Sequence, residues 1–224
     1  TIGRVARVAV AEDLPGSTDP SVAYALFAHI EQPSSDTQVR VAKLLLDDPA
    51  LDPDADPVAV LAQAMEQGSD EAAMVLGRHY LSARNPQADP ARAEALLRDA
   101  AATQPAAHYY LGRIFERGYR GRVQPDLALR HYLGAARGGY IWADMALARM
   151  FWNNRGVRVD PVNACTFALL AENNGVSEAA ELLQTLRGEM SPAQLEAAEG
   201  LAQREYRARQ AADTTTQLAT RGQP

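Results

Sequence analysis

AHYYLGRIFERGYRGRVQPDLALRHYLGAA (residues 107–136) recurs in outline on either side of itself. It aligns without gaps on AAMVLGRHYLSARNPQADPARAEALLRDAA (residues 72–101) and on ADMALARMFWNNRGVRVDPVNACTFALLAE (residues 143–172), a spacing of 35 or 36 residues. Leu76, Leu111 and Leu147 correspond, as do Gly77, Gly112 and Ala148, and then Tyr80, Phe115 and Phe151. Later in each unit Pro90, Pro125 and Pro161 match, followed by Ala93, Ala128 and Ala164 and by Ala100, Ala135 and Ala171. Ala, Leu, Gly and an aromatic at i, i+4, i+5 and i+8 share one face of a helix. The small residue lets a second helix come close. An Asp-Pro or Gln-Pro step restarts the chain, because the polar residue can cap a new helix and proline is tolerated in its first turn. Gly68, Gly139 and Gly175 fall where second helices should stop, a common left-handed position. In the remaining unit Gln104 followed by Pro105 takes that place.

Working outward, weaker copies flank these units. TDPSVAYALFAHI (residues 18–30) repeats the Asp-Pro-x-x-Ala signal; TQVRVAKLLLDD (37–48) reads as a first helix and PVAVLAQAMEQG (57–68) as a second. Downstream, SEAAELLQTLRGEM (177–190) begins like a further first helix, and SPAQLEAAEGLAQREYRARQ (191–210) becomes charged, as a capping helix should. The predicted fold is all-α, a right-handed α-solenoid superhelix of antiparallel helix pairs. One array is expected over 1–212: degenerate repeats in 1–68, clear repeats at 72–104, 107–139 and 143–175, and capping helices at 176–212. Leu46–Pro57 is an interhelical loop in this reading, and 213–224, without a period, a flexible tail.

Composition agrees. Alanine supplies 43 of 224 residues, about one in five and well above average usage, as close helix packing requires. Cys165 is the sole cysteine, so no disulfide scaffold exists within the chain. A net charge of −6 argues against coating nucleic acid or an anionic membrane. That balance conceals an asymmetry: residues 36–71 carry nine acids and two bases, whereas 113–158 carry nine arginines and three acids. The basic stretch suits an acidic protein surface or, more weakly, an anionic polysaccharide; a solvated helix face is the alternative.

The hallmark A-x-x-x-L-G-x-x-Y/F, a glycine-bearing loop, D-x-x-x-A and A-A-x-x-G is carried by Ala107, Leu111, Gly112, Phe115, Gly118, Gly121, Ala128, Ala135, Ala136 and Gly139. On these residues the chain resembles the Sel-one-like repeat (SLR) family of tetratricopeptide-type proteins. Arg117–Pro125, Asp160–Ala164 and Ser191–Glu205 are similar, more narrowly, to the SLR proteins of bacterial alginate secretion. That resemblance implies a non-catalytic periplasmic scaffold attached to the outer membrane. Its partners would be a periplasmic alginate acetylation protein and an outer-membrane alginate porin. Thr1–Asp13 has neither a leader pattern nor a lipoprotein's cysteine, so a lipid anchor is expected outside this chain. A cytosolic SLR adaptor for a signalling or client protein is the competing function, and an enzyme or lectin acting on polysaccharide the third.

No catalytic, cofactor or metal site is expected. The four histidines lack an H-E-x-x-H arrangement, and G-x-S-x-G, P-loop and G-x-G-x-x-G patterns do not occur. Cys165 follows a core alanine and reads as a buried, inert thiol. The register does point to a surface for partners. Arg78, Arg113 and Arg149 each stand two residues after the repeat leucine, where first helices should face a concave groove. Tyr109, Arg117, Trp142, Met145, Trp152 and Asn153 should face the same way. Arg, Trp and Tyr are enriched in interaction hot spots, and guanidinium forks bind carboxylates bidentately. Alternatively the arginines bridge acids in neighbouring repeats, and the two tryptophans pack between units.

Overall fold

A computed structural model describes residues 33–119, 121–153 and 155–221, with side chains described up to residue 212. The upstream copy at 18–30 lies outside the described residues. Those described are helical, without strands: α1 (Ser35–Asp47), α2 (Pro57–Glu66), α3 (Asp70–Tyr80), α4 (Pro90–Ala100), α5 (Pro105–Arg117), α6 (Pro125–Arg137), α7 (Trp142–Trp152), α8 (Pro161–Asn173), α9 (Glu178–Glu189) and α10 (Pro192–Arg221). The Leu46–Pro57 connection contains one 3-10 turn, Pro49–Leu51. The chain divides into two compact units, 1–104 and 105–224, at the junction between two clear repeats.

Within each unit the helices are paired as the repeat requires: α1 with α2 and α3 with α4 in the first, α5 with α6 and α7 with α8 in the second. The start signals act through their side chains. Asp56 Oδ1 accepts from the Val58 and Ala59 amides at 2.9 and 3.1 Å, and Asp89 Oδ1 from Ala91 and Arg92 at 2.9 and 3.0 Å. Asp160 caps α8 through the Asn163 amide at 3.0 Å, whereas Gln124 makes no such bond at the head of α6. The stop signals are equally regular. Gly68, Gly139 and Gly175 have φ of 85, 81 and 82°. In each case the next amide reaches back to a carbonyl in the last turn (Ser69 to Ala64, Tyr140 to Ala135, Val176 to Ala171; 2.9–3.0 Å). The loops inside the repeats close identically too: the amides of Asp89, Gln124 and Asp160 donate to the carbonyls of Tyr80, Phe115 and Phe151 at 2.9–3.1 Å.

The small repeat position sets the helix separation. A Cβ added to Gly77 would stand 2.7 Å from Leu97 Cγ, and one on Gly112 2.6 Å from the Tyr132 ring. The third repeat has Ala148, and at the register position of Leu97 and Tyr132 it has Ala168; both alanines are fully buried in one cluster with Ala164, Cys165, Leu183 and Leu186.

The C-terminal helices differ from a simple pair. Both α9 and α10 pack on α8. α10 then reaches α7, where Arg209 Nη1 and Nη2 donate to the two carboxylate oxygens of Asp144 at 2.9 and 3.0 Å. Asp144 is 1% exposed, and Asn174 Nδ2 also donates to it at 3.2 Å. Burial pushes the Asp144 carboxyl above its ordinary range, against the pull of Arg209. α10 continues past Asp213 to Arg221, through residues that the sequence reading assigns to a flexible tail. No proline interrupts it between Pro192 and Pro224, and threonine lowers helix propensity without breaking a helix. Residues 222–224 lie outside the described residues.

Candidate partner-binding cleft

Within the second unit, α5 and α7 flank a cleft of about 80 Å³ lined by Tyr109, Arg113, Glu116, Arg117, Trp142, Met145 and Arg149, with Tyr132 of α6 and the loop residue Arg155. Tyr132 forms the floor. Its ring lies against Gly112, and its hydroxyl donates to Glu116 Oε2 at 2.7 Å. Burial, and then the Glu116 carboxylate, push this phenol far above its ordinary pKa, so it remains a donor. Arg155 Nη1 donates to the other Glu116 oxygen at 2.8 Å. The acid lining the cleft is thereby engaged on both oxygens. Tyr109 fills one wall, with its ring 5.7 Å from that of Tyr132 and 5.0 Å from that of Tyr140.

The arginines are disposed differently. Arg113 lies with its guanidinium 5.9 Å from the Tyr110 ring centroid. Arg117 donates to the Tyr119 hydroxyl at 2.9 Å. Neither Arg113 nor Arg149 makes a salt bridge among the described residues. Arg149 is exposed, Arg113 half-buried, and the Trp142 indole is 39% exposed at the rim.

Six of the nine residues expected to meet partners therefore line one cleft: Tyr109, Arg113, Arg117, Trp142, Met145 and Arg149. Met145 is also core, 4% exposed and packed with Ala171, Val176 and Ala179. Trp152 is turned into the cluster around Ala148 and Ala168. Asn153 is exposed and ends α7, its amide bonded to the Arg149 carbonyl at 2.9 Å. Arg78 stands half-buried on α3, in the first unit.

Sequence reasoning missed Glu116, Tyr132 and Arg155. A signal existed for Tyr132: a tyrosine facing a repeat glycine is too long to end in an apolar core, and a buried phenol needs an acceptor. It also missed a histidine pair. His108 and His131 meet Nδ1 to Nδ1 at 3.0 Å, with His131 stacked on Phe115 at 5.4 Å and 16°. Among the described residues no group of three or more His, Cys, Asp or Glu could hold a metal ion, and no helix is long and apolar enough to cross a membrane.

No family model matches the chain. The fold has clear counterparts among solved structures. An SLR-fold protective antigen of uropathogenic Escherichia coli superposes with a TM-score of 0.73 at 24% identity, over 91% of this chain and 44% of that one. A Sel1 repeat protein from Oxalobacter formigenes gives 0.65 at 18%, over 91% and 86%. The chain thus has the Sel1-repeat fold, a solenoid of helix pairs. In sequence it is similar to the alginate biosynthesis protein AlgK. That of Pseudomonas syringae pv. tomato is 36% identical over 218 residues, 97% of this chain and 46% of the relative. Those of Azotobacter vinelandii and Pseudomonas aeruginosa are 40% identical over 146 residues and 37% over 194, covering 65% and 87% of this chain. The chain spans less than half the length of these relatives (46%, 32% and 41%).

Proposed function

We propose that the chain is a non-catalytic protein-interaction scaffold of bacterial alginate biosynthesis, working in the periplasm at the outer membrane. It brings a periplasmic alginate acetylation protein to the outer-membrane export porin. The observation that carries this reading is the 36% identity to AlgK over 97% of the chain. The α5–α7 cleft supports it, since exposed Arg and Trp beside a rigid tyrosine wall are the groups that anchor protein interfaces. The test is a titration of the chain, by biolayer interferometry, against the purified acetylation protein and porin of an alginate system. Binding of at least one at micromolar concentration or tighter is expected. If neither binds, the alginate assignment is wrong. Retention of a cytosolic signalling protein instead would favour the adaptor function.

A further inference from the structure

The α5–α7 cleft has a more specific chemistry. Four arginines face it with one acid, Glu116, and both Glu116 oxygens are already taken by Tyr132 and Arg155. Arg113 and Arg149 are left without a carboxylate partner among the described residues. They stand on α5 and α7 and line the same hollow. Unpaired guanidinium groups lining one concavity are an anion site by charge complementarity.

Wall chemistry favours a peptide over a sugar polymer. A uronate chain would need a run of open aromatic faces to stack on. Tyr109 is half-buried against Tyr110, Tyr132 and Tyr140. Trp142, 39% exposed at the rim, offers one apolar shelf, enough for a residue beside the acid.

We infer that this cleft binds an acidic peptide segment of a protein partner, seating one Asp or Glu side chain between Arg113 and Arg149 with a neighbouring apolar residue against Trp142. The inference rests on the scaffold reading for the partner's origin, and on the cleft alone for its chemistry. Tyr132, Glu116 and Arg155 are positioning residues: they shape the floor and keep the cleft's own acid from competing for the arginines.

The test uses the whole chain and a fluorescent, end-blocked hexaglutamate peptide, followed by anisotropy. Hexaglutamine and an oligouronate are the comparison ligands. Hexaglutamate should bind, more weakly as salt rises, and hexaglutamine should not. Arg113→Gln and Arg149→Gln should each weaken binding roughly tenfold, the scale of a hydrogen bond to a charged group. Arg204→Gln, on an exposed face of α10, should change nothing. Thermal melts by circular dichroism establish that the variants fold, and Arg113→Lys with Arg149→Lys replaces any that does not. Equal hexaglutamate binding by the double Arg113→Gln/Arg149→Gln variant overturns the inference. So does an oligouronate that binds more tightly than hexaglutamate and loses its affinity in that variant. The acetylation protein and porin separate the two readings. If they bind the unsubstituted chain and the double variant alike, the acidic-segment site fails while the scaffold stands. If neither binds the unsubstituted chain, the scaffold reading fails, and the peptide titration still decides the cleft.

Discussion

Gly112→Ala should destabilise the protein, although alanine is the better helix former. Gly112 lies inside α5, where replacing glycine gains about 1 kcal/mol of helix propensity. Against this, the new Cβ would stand 2.6 Å from both Cδ1 and Cε1 of Tyr132, about 1 Å inside ordinary carbon contact. Tyr132 cannot swing aside cheaply. It is 1% exposed, its hydroxyl is held by Glu116 at 2.7 Å, and Tyr109 lies beside it. Overpacking costs about 1–3 kcal/mol, and two ring atoms struck at once place this case at the upper end. The net loss is about 2 kcal/mol, which lowers the melting temperature by roughly 4–8 °C in a chain of this size. Thermal and urea unfolding followed by far-UV circular dichroism measures it. Gly200→Ala is the control: it lies within α10, where the new Cβ would meet a guanidinium nitrogen of Arg204 at an ordinary 3.7 Å, and it should gain about 0.5–1 kcal/mol. A double-mutant cycle isolates the clash. In a Tyr132→Ala background, which has the small opposing residue of the Ala148 and Ala168 repeat, Gly112→Ala should no longer destabilise. If Gly112→Ala raises stability in the native background, or costs the same in both, glycine is not there to admit the second helix.

Arg209→Ala should cost about 3–5 kcal/mol in urea unfolding, because it leaves the buried Asp144 carboxylate without its bidentate partner; replacing both residues with apolar ones of similar size should recover most of it. His79 should make stability fall in mild acid. Burial, then the Arg78 charge, hold its imidazole below the ordinary histidine range. The unfolded chain therefore takes up its proton first, and stability is lost as pH falls from about 6.5 through the depressed folded value. His79→Gln should flatten that part of the pH–stability curve, and an unchanged slope would refute the assignment. Cys165 should resist thiol reagents in the folded protein and react on unfolding, since it is 2% exposed and burial pushes its thiol up.

The fold was legible because an SLR unit writes its packing into side-chain spacing. Leu76, Leu111 and Leu147 recur at intervals of 35 and 36 residues, and all three are core. Their start and stop signals lie within a few residues of the helix ends that they fix. The site was legible only where register alone decides direction, as for Arg113 and Arg149. Glu116 and Arg155 are 39 positions apart in the chain and meet only because a loop folds back. His108 and His131 meet because α5 and α6 present those faces to one another. Nothing in local spacing signals either meeting.

Trp152 shows how the missing information could be recovered. It occupies the register position held by Glu116 in the preceding repeat. What stands across the helix pair differs: Tyr132 in one repeat, Ala168 in the other. Where the opposing residue is a buried tyrosine, the position needs a hydrogen-bond acceptor, and Glu116 supplies it. Where the repeat glycine and the opposing residue are both replaced by alanine, Trp152 packs against the cluster that holds Ala148 and Ala168. The same substitution pattern thus packs Trp152 onto the cluster around Ala168 and sets Glu116, largely buried, in the lining of the cleft beside the arginines. The residue across the helix pair, which single-helix register does not contain, decides both placements: Trp152 partly buried against that cluster, and Glu116 in the cleft.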